Sequence, residues 1–223
     1  MEIQFIDEEI SSFGGVAILK KMMDKLSFEK VLSSLPLPPQ KSPRGYPPIQ
    51  LLIQFITSLW CGASRYTHLD ISRFDNTIQK LFGWAKMPEH KAFQRYFSKF
   101  TLPISQAVFG GLYRWFFDNL KFDNYTLDID SSVLTRYGDK QGAAIGYNKY
   151  KPGRKSHHPI MAFVAEIEMV ANFWLRAGDA HTANNFQAFL AETLSFLQNK
   201  KIGLLRLDSG FYDQKIFNYL ETP

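Results

Sequence analysis

Three carboxylates carry the first chemical signal in this sequence. Asp128 and Asp130 lie in Tyr125-Thr126-Leu127-Asp128-Ile129-Asp130-Ser131, where apolar and polar residues alternate. A period of two marks a strand, so Thr126, Asp128 and Asp130 share one face while Tyr125, Leu127 and Ile129 pack on the other. Two carboxylates on one strand face repel each other unless solvent or a cation lies between them. Asp208 ends a second apolar run, residues 202–207, which reads as a short buried strand. Strand ends are where α/β sheets assemble sites. Carboxylates at two such positions offer hard oxygen donors suited to Mg²⁺ or Mn²⁺. Two other readings remain open on spacing alone. Asp208, before Ser209-Gly210, suits the cap of a turn or helix, and Asp128 with Asp130 suits a solvated strand face.

Other constellations are weaker. His157 and His158 are adjacent, so in an extended segment they point to opposite sides. With no His at i+4 and no nearby Cys they make a poor ligand pair, and a surface place on a basic loop is expected. Gly142–Gly146 reads GAAIG without the Gly-Lys-Ser/Thr ending of a phosphate-binding loop, which excludes that route to nucleotide hydrolysis. Cys61 is the single cysteine. It excludes a disulfide framework and a Cys-based zinc site, and is expected in the core of a protein from a reducing compartment.

These residues must be positioned by 223 residues that are 45% hydrophobic and 21% charged, a globular composition. The start, MEIQFIDEEI, lacks the basic opening and apolar run of a signal peptide. The most apolar stretch, Ile49–Ala63, is interrupted by Gln54, Thr57 and Ser58 and falls short of the ~18 residues of a membrane span. A soluble cytoplasmic protein is therefore expected. The net charge of +5 is uneven. Residues 41–99 carry nine basic and three acidic groups; residues 132–158 carry Arg136, Lys140, Lys149, Lys151, Arg154 and Lys155 against Asp139 alone. Two basic zones beside acidic remainders suggest a polyanion-binding face near a cluster of carboxylates.

The first ~120 residues have helical periodicity, with helices expected over 15–35, 49–61, 67–82, 89–100 and 103–121. LPLPPQKSPRGYPP, residues 35–48, reads as an extended connector. After Asn124 the pattern changes to strands: 125–131, then 160–168 and 169–176 as a hairpin, a helix over 185–199 with Thr182 as its cap, the strand at 201–207 and a helix over 213–221. Residues 138–156 look too polar and broken for a core element. The fold class is α+β or α/β. Its expected domains are a helical N-terminal region at 1–122 and a mixed-sheet domain at 123–223.

Four blocks then take on a shared meaning: LDIDSSVLTRYG (127–138), GAAIGYNKYKPGRKSHHPIMAF (142–163), MVANFWLRAGDAHTANN (169–185) and LLRLDSGFYD (204–213). Together they resemble bacterial insertion-sequence transposases of the DDE class. CGASRYTHLDISRFD (61–75) is similar to the helical N-terminal region of one branch, which implies that the helical region 1–122 binds DNA ends. The resemblance implies an RNase H-like catalytic domain of three antiparallel strands, a helix and a fourth strand. It implies Asp130 and Asp208 as catalytic and metal-holding residues, with Asp128 the runner-up for the first role. The chemistry implied is two-metal phosphoryl transfer with Mg²⁺ or Mn²⁺, cutting and pasting DNA at the ends of a mobile element. Implied partners are the terminal inverted repeats and target DNA, with a possible homo-oligomer, in the nucleoid-associated cytoplasm of a bacterium. Arg136, Lys140, Lys149, Lys151, Arg154 and Lys155 become the expected DNA-binding residues.

Two departures shape the expectation. Lys140-Gln141-Gly142 stands where the family reads Gln-Glu-Gly. The family's third acid is a Glu on a helix well beyond the fourth strand, and no residue of this chain matches it, Glu221 sitting too early. The chain is therefore expected to be an N-terminal fragment, truncated before the third acid, inactive alone and with apolar sheet surface uncovered. The alternative is a non-catalytic DNA-binding remnant or inhibitor of the intact enzyme.

Overall fold

The computed structural model describes residues 10–221. The chain divides into two compact units between Leu112 and Tyr113.

Among the described residues the first unit is built from helices: α1 (Val16–Lys25), α2 (Phe28–Ser34), α3 (Pro48–Trp60), α4 (Leu69–Arg73), α5 (Asn76–Phe82), α6 (His90–Phe97) and the start of α7 (Leu102–Asn119). The helix expected over 15–35 is two helices. Val16, Leu19 and Met23 are buried at helical spacing, but the next buried residues are Phe28 and Leu32. A step of five leaves the buried face of a straight helix, and Ser27, in a left-handed conformation with φ 49°, absorbs it. The stretch at 67–82 also breaks. α4 ends at Arg73, and Asp75 caps α5, its Oδ1 accepting from the Ile78 amide at 2.9 Å. In α3, which starts on Pro48, the polar residues that interrupt the apolar run are themselves buried. Ser58 Oγ lies 2.6 Å from Ser72 Oγ, and Gln54 donates to the Pro88 carbonyl. Among the described residues no helix is long and apolar enough to cross a membrane.

The second unit holds β1 (Tyr125–Ser131), β2 (Leu134–Thr135), β3 (Ala144–Ile145), β4 (Lys155–His157), β5 (Ile160–Val164), β6 (Met169–Trp174), α8 (Phe186–Leu197), β7 (Ile202–Leu207) and α9 (Gln214–Glu221). Its main sheet has the order β6-β5-β1-β7. β1 and β5 are antiparallel, β5 and β6 are antiparallel, and β7 runs parallel to β1. This is the mixed sheet of three antiparallel strands, a helix and a fourth strand that the sequence leads one to expect. The β5–β6 connection is a 3₁₀ turn, Ala165–Ile167, closed by Glu168 at φ 51°.

One sheet face packs on α8 and α9: Tyr125, Leu127 and Ile129 meet Ile160, Ala162, Val164, Phe186, Phe189, Leu197 and Ile216. The other face is open, with Met161, Phe173, Leu204 and Arg206 exposed. β7, expected to be buried, is an edge strand of the described sheet with only Ile202, Leu205 and Leu207 turned to the core. A hydrophobic run is compatible with either position, and pairing on one side alone makes the difference. Residues 132–158 are not a bare loop. They fold into a small sheet, β2-β4-β3, inserted between β1 and β5.

Cys61 packs beside Val16, Ile78 and Met87, and burial, with Asp75 nearby, pushes its thiol up to about 11. The thiolate is the reactive form. At pH 8 the folded chain is expected to react with iodoacetamide about a hundredfold more slowly than the urea-unfolded chain. Equal rates would show that the thiol is not held in this cluster.

Candidate active site

The parallel pairing of β1 with β7 positions the two leading carboxylates. Its last registered pair is Ile129 with Leu207. Asp130 and Asp208 each follow by one residue, so they leave the C-terminal ends of neighbouring parallel strands, the usual place for a site in such a sheet. Both are exposed. Asp130 Oδ1 accepts from the Ser131 amide at 2.6 Å, and Asp208 Oδ1 from the Gly210 amide at 3.0 Å. Asp208 thus caps the turn Ser209–Phe211, as one open reading of the sequence had it. The second oxygen of each carboxylate makes no hydrogen bond among the described residues, so the cap and a ligand role are compatible.

Asp128 has a different fate. Arg206 is its registered partner across β1 and β7, and the guanidinium holds both carboxylate oxygens, Nε donating to Oδ1 and Nη2 to Oδ2. That hydrogen-bonded pair lowers the Asp128 pKa below the usual carboxylate range, with the guanidinium charge adding to it. The repulsion expected between Asp128 and Asp130 is met by this cation, so Asp130 is the carboxylate of the two left uncommitted. Arg206 escaped the sequence reading although alternation in Leu204-Leu205-Arg206-Leu207-Asp208 already puts Arg206 and Asp208 on one face.

Behind the carboxylates a polar chain runs through the buried His158. The Ala180 carbonyl can only accept, so His158 Nδ1 donates to it at 2.7 Å. Nε2 of the neutral ring then accepts from the Ser131 hydroxyl at 3.2 Å, and Ser131 Oγ is 3.2 Å from Thr182 Oγ1. Burial lowers the His158 pKa, which keeps the ring neutral. Thr182 serves here and does not cap α8, whose entry is Asn185 at φ 59°. Arg176, only 8% exposed, fixes the same loop: Nε donates to the His158 carbonyl, and Nη1 reaches the carbonyls of His181, Thr182 and Asn184 at 2.9–3.2 Å. Expected surface positions for His157 and His158 are corrected by this arrangement. Both are buried because β4 runs directly into β5, with His157 bridged to Ala177 and the His158 amide bonded to the Arg176 carbonyl. They do face different surroundings, His157 taking Arg136 Nε at 2.8 Å and meeting the Gln141 carbonyl at 2.9 Å.

Among the described residues no group of three or more His, Cys, Asp or Glu side chains converges. Asp130 and Asp208 stand as a pair of hard oxygen donors, a set that fits Mg²⁺ or Mn²⁺ retaining several waters. Against known families the match is unambiguous: the family model described as transposase DDE domain group 1 covers residues 1–223. The chain belongs to this family of DDE transposases. No curated protein and no solved structure matches it.

In this transposase the inserted sheet is seated on the loop that follows β6 by two glycines. A Cβ on Gly146 would lie 2.0 Å from the Gly178 carbonyl oxygen, and one on Gly178 2.2 Å from the Ser156 carbonyl oxygen. Neither position admits a side chain. Of the six basic residues singled out from the sequence, Lys140, Lys149, Lys151 and Arg154 are exposed. Lys155 is also exposed and pairs with Asp139 at 2.6 Å, while Arg136 is half-buried and turned to His157. The seat therefore holds exposed cations in the unit that carries the strand-end carboxylates.

Two substitutions test this architecture. Gly146→Ala is expected to lift the insertion from its seat, so that amide exchange rises across residues 140–156 while β1 and β5 stay protected; unchanged exchange would refute the close packing. Arg176→Met, which takes the buried guanidinium away from four backbone carbonyls, is expected to lower unfolding stability by about 3 kcal/mol, measured by urea denaturation.

Proposed function

We propose that the chain acts in cut-and-paste DNA transposition, with Asp130 and Asp208 as the metal-holding catalytic carboxylates at the ends of a mobile element. The observation that carries this reading is the β1–β7 register, which brings two carboxylates, each with one oxygen not hydrogen-bonded among the described residues, to neighbouring parallel strand ends in a member of a family of enzymes. A divalent ion bound there would supply charge neutralisation and nucleophile activation for phosphoryl transfer. The protein's own contribution is placement. Ser131, His158, Thr182 and Arg176 hold the two loops, and Asp128 stays bound to Arg206 as a structural pair. The exposed Lys140, Lys149, Lys151 and Arg154 of the insertion are the proposed phosphate contacts, Lys155 and Arg136 contributing from their tied positions. The basic segment 41–99 of the helical unit is the proposed grip on the inverted repeats.

A second reading has its own support. With no third acidic, His or Cys side chain joining Asp130 and Asp208 among the described residues, this chain by itself would hold metal weakly. It would then act as a DNA-binding form that competes with a complete enzyme. Incubation of the purified chain with Mn²⁺ and labelled end DNA separates the two. Catalysis predicts nicking that drops about a hundredfold or more in Asp130→Ala and in Asp208→Ala. Binding without nicking in every form of the chain would leave the competitor reading.

The insertion's role is open to a salt titration. If six phosphates are neutralised, affinity for duplex DNA falls roughly a thousandfold between 50 and 200 mM salt. A Lys149→Ala, Lys151→Ala, Arg154→Ala triple variant is expected to flatten the log–log slope by roughly three. An unaltered slope would move the DNA contact elsewhere.

A further inference from the structure

The insertion exposes aromatic rings as well as cations. Tyr137, Tyr147 and Tyr150 are 61%, 70% and 74% exposed. An aromatic ring has a large apolar face and is ordinarily covered, so three bare ones within a single small insertion call for an occupant. The backbone around Tyr147 and Tyr150 is firmly held. Asn148, between Tyr147 and Tyr150, is buried; its amide donates to Thr135 Oγ1 at 2.9 Å, and its Oδ1 accepts from the Tyr150 and Lys151 amides at 3.2 and 3.0 Å. Gly146, immediately before Tyr147, is pressed on Gly178. The chain on both sides of Tyr147 is thus pinned while the ring is left in solvent.

Cations stand at two of the rings. Lys149 Nζ is 5.0 Å from the Tyr150 ring centroid and Lys151 Nζ is 5.0 Å from that of Tyr137, whose hydroxyl it also contacts. Because Lys151 follows Tyr150 directly, Tyr137 and Tyr150 share one neighbourhood. A flat aromatic face flanked by ammonium groups matches a nucleotide, the ring taking the base and the cation the phosphate. A paired duplex offers its phosphates but keeps its base faces stacked on each other. Only an unpaired base can lie on a protein ring.

We propose that Tyr137, Tyr147 and Tyr150 form a stacking platform for unpaired bases of a DNA strand, whose backbone is held by Lys149, Lys151 and Arg154. The proposal rests on the reading of the insertion as a DNA contact. It deepens that reading by naming the strand state recognised.

The test compares a single-stranded oligonucleotide carrying 2-aminopurine with its perfectly paired duplex, using the full chain. Tyr147→Ala and Tyr150→Ala are each expected to weaken single-strand binding about tenfold, to relieve the quenching of 2-aminopurine and to leave duplex affinity unchanged. Tyr→Phe variants at the same positions are expected to bind as the parent chain, because the face and not the hydroxyl is used. Alanine variants that bind the single strand undiminished or that lose duplex binding equally, or phenylalanine variants that lose single-strand affinity as the alanine forms do, would overturn the platform. Failure of the DNA reading itself has a separate signature: the parent chain would then bind neither single strand nor duplex. A parent chain that binds duplex in a salt-dependent way while the tyrosine variants keep single-strand affinity would sink the platform alone.

Discussion

The parallel register between β1 and β7 is the constraint on which the candidate site depends. A parallel neighbour requires a crossover, and α8 with its buried Phe186, Phe189 and Leu197 provides it. Pairing in that register does two things at once. It lays Arg206 across from Asp128, converting one carboxylate of the sequence pair into half of an ion pair. It also ends the two strands together, so Asp130 and Asp208 emerge side by side. A slip of one residue would turn the apolar set of β7 outward and separate these partners.

The loops beyond the strand ends are controlled by groups that do not themselves face the open site. Arg176 gathers four carbonyls, and a neutral His158 links the Ala180 carbonyl to Ser131. Backbone acceptors are costly to leave unpaired, so a single buried guanidinium, donating through Nε and Nη1, sets the path of the loop from Ala177 to Asn185. The glycine pair Gly146 and Gly178 then allows the inserted sheet to approach that loop more closely than any side chain permits. Acids, loop clamps and basic insertion are in this sense one assembly within the second unit.

Much of this was legible in advance because it follows from periodicity. Alternation over residues 125–131 identified β1 and its faces, the turn at Asp208-Ser209-Gly210 identified the strand end, and the four motif blocks pointed to the family that the whole chain matches. The misreadings have physical causes. A helical period over 15–35 does not reveal that Ser27 can turn left-handed. An apolar run such as 202–207 looks the same in a central strand and in an edge strand. His157 and His158 looked exposed because their neighbours in sequence are basic, whereas their burial comes from Arg176 and Ala177, some twenty residues further along.

By itself, the sequence determined local matters: which residues alternate, where strands and helices begin, how much positive charge the insertion carries and which carboxylates deserve notice. Those follow from covalent spacing and side-chain polarity. Only the tertiary structure decided which carboxylate is spent on an arginine, which two stand together and which tyrosines remain bare. These outcomes depend on partners distant in the chain, as Asp128 with Arg206 and Gly146 with Gly178 illustrate. Spacing along one strand can propose two equivalent acids, but a cross-strand cation breaks the equivalence, and that cation is placed by register.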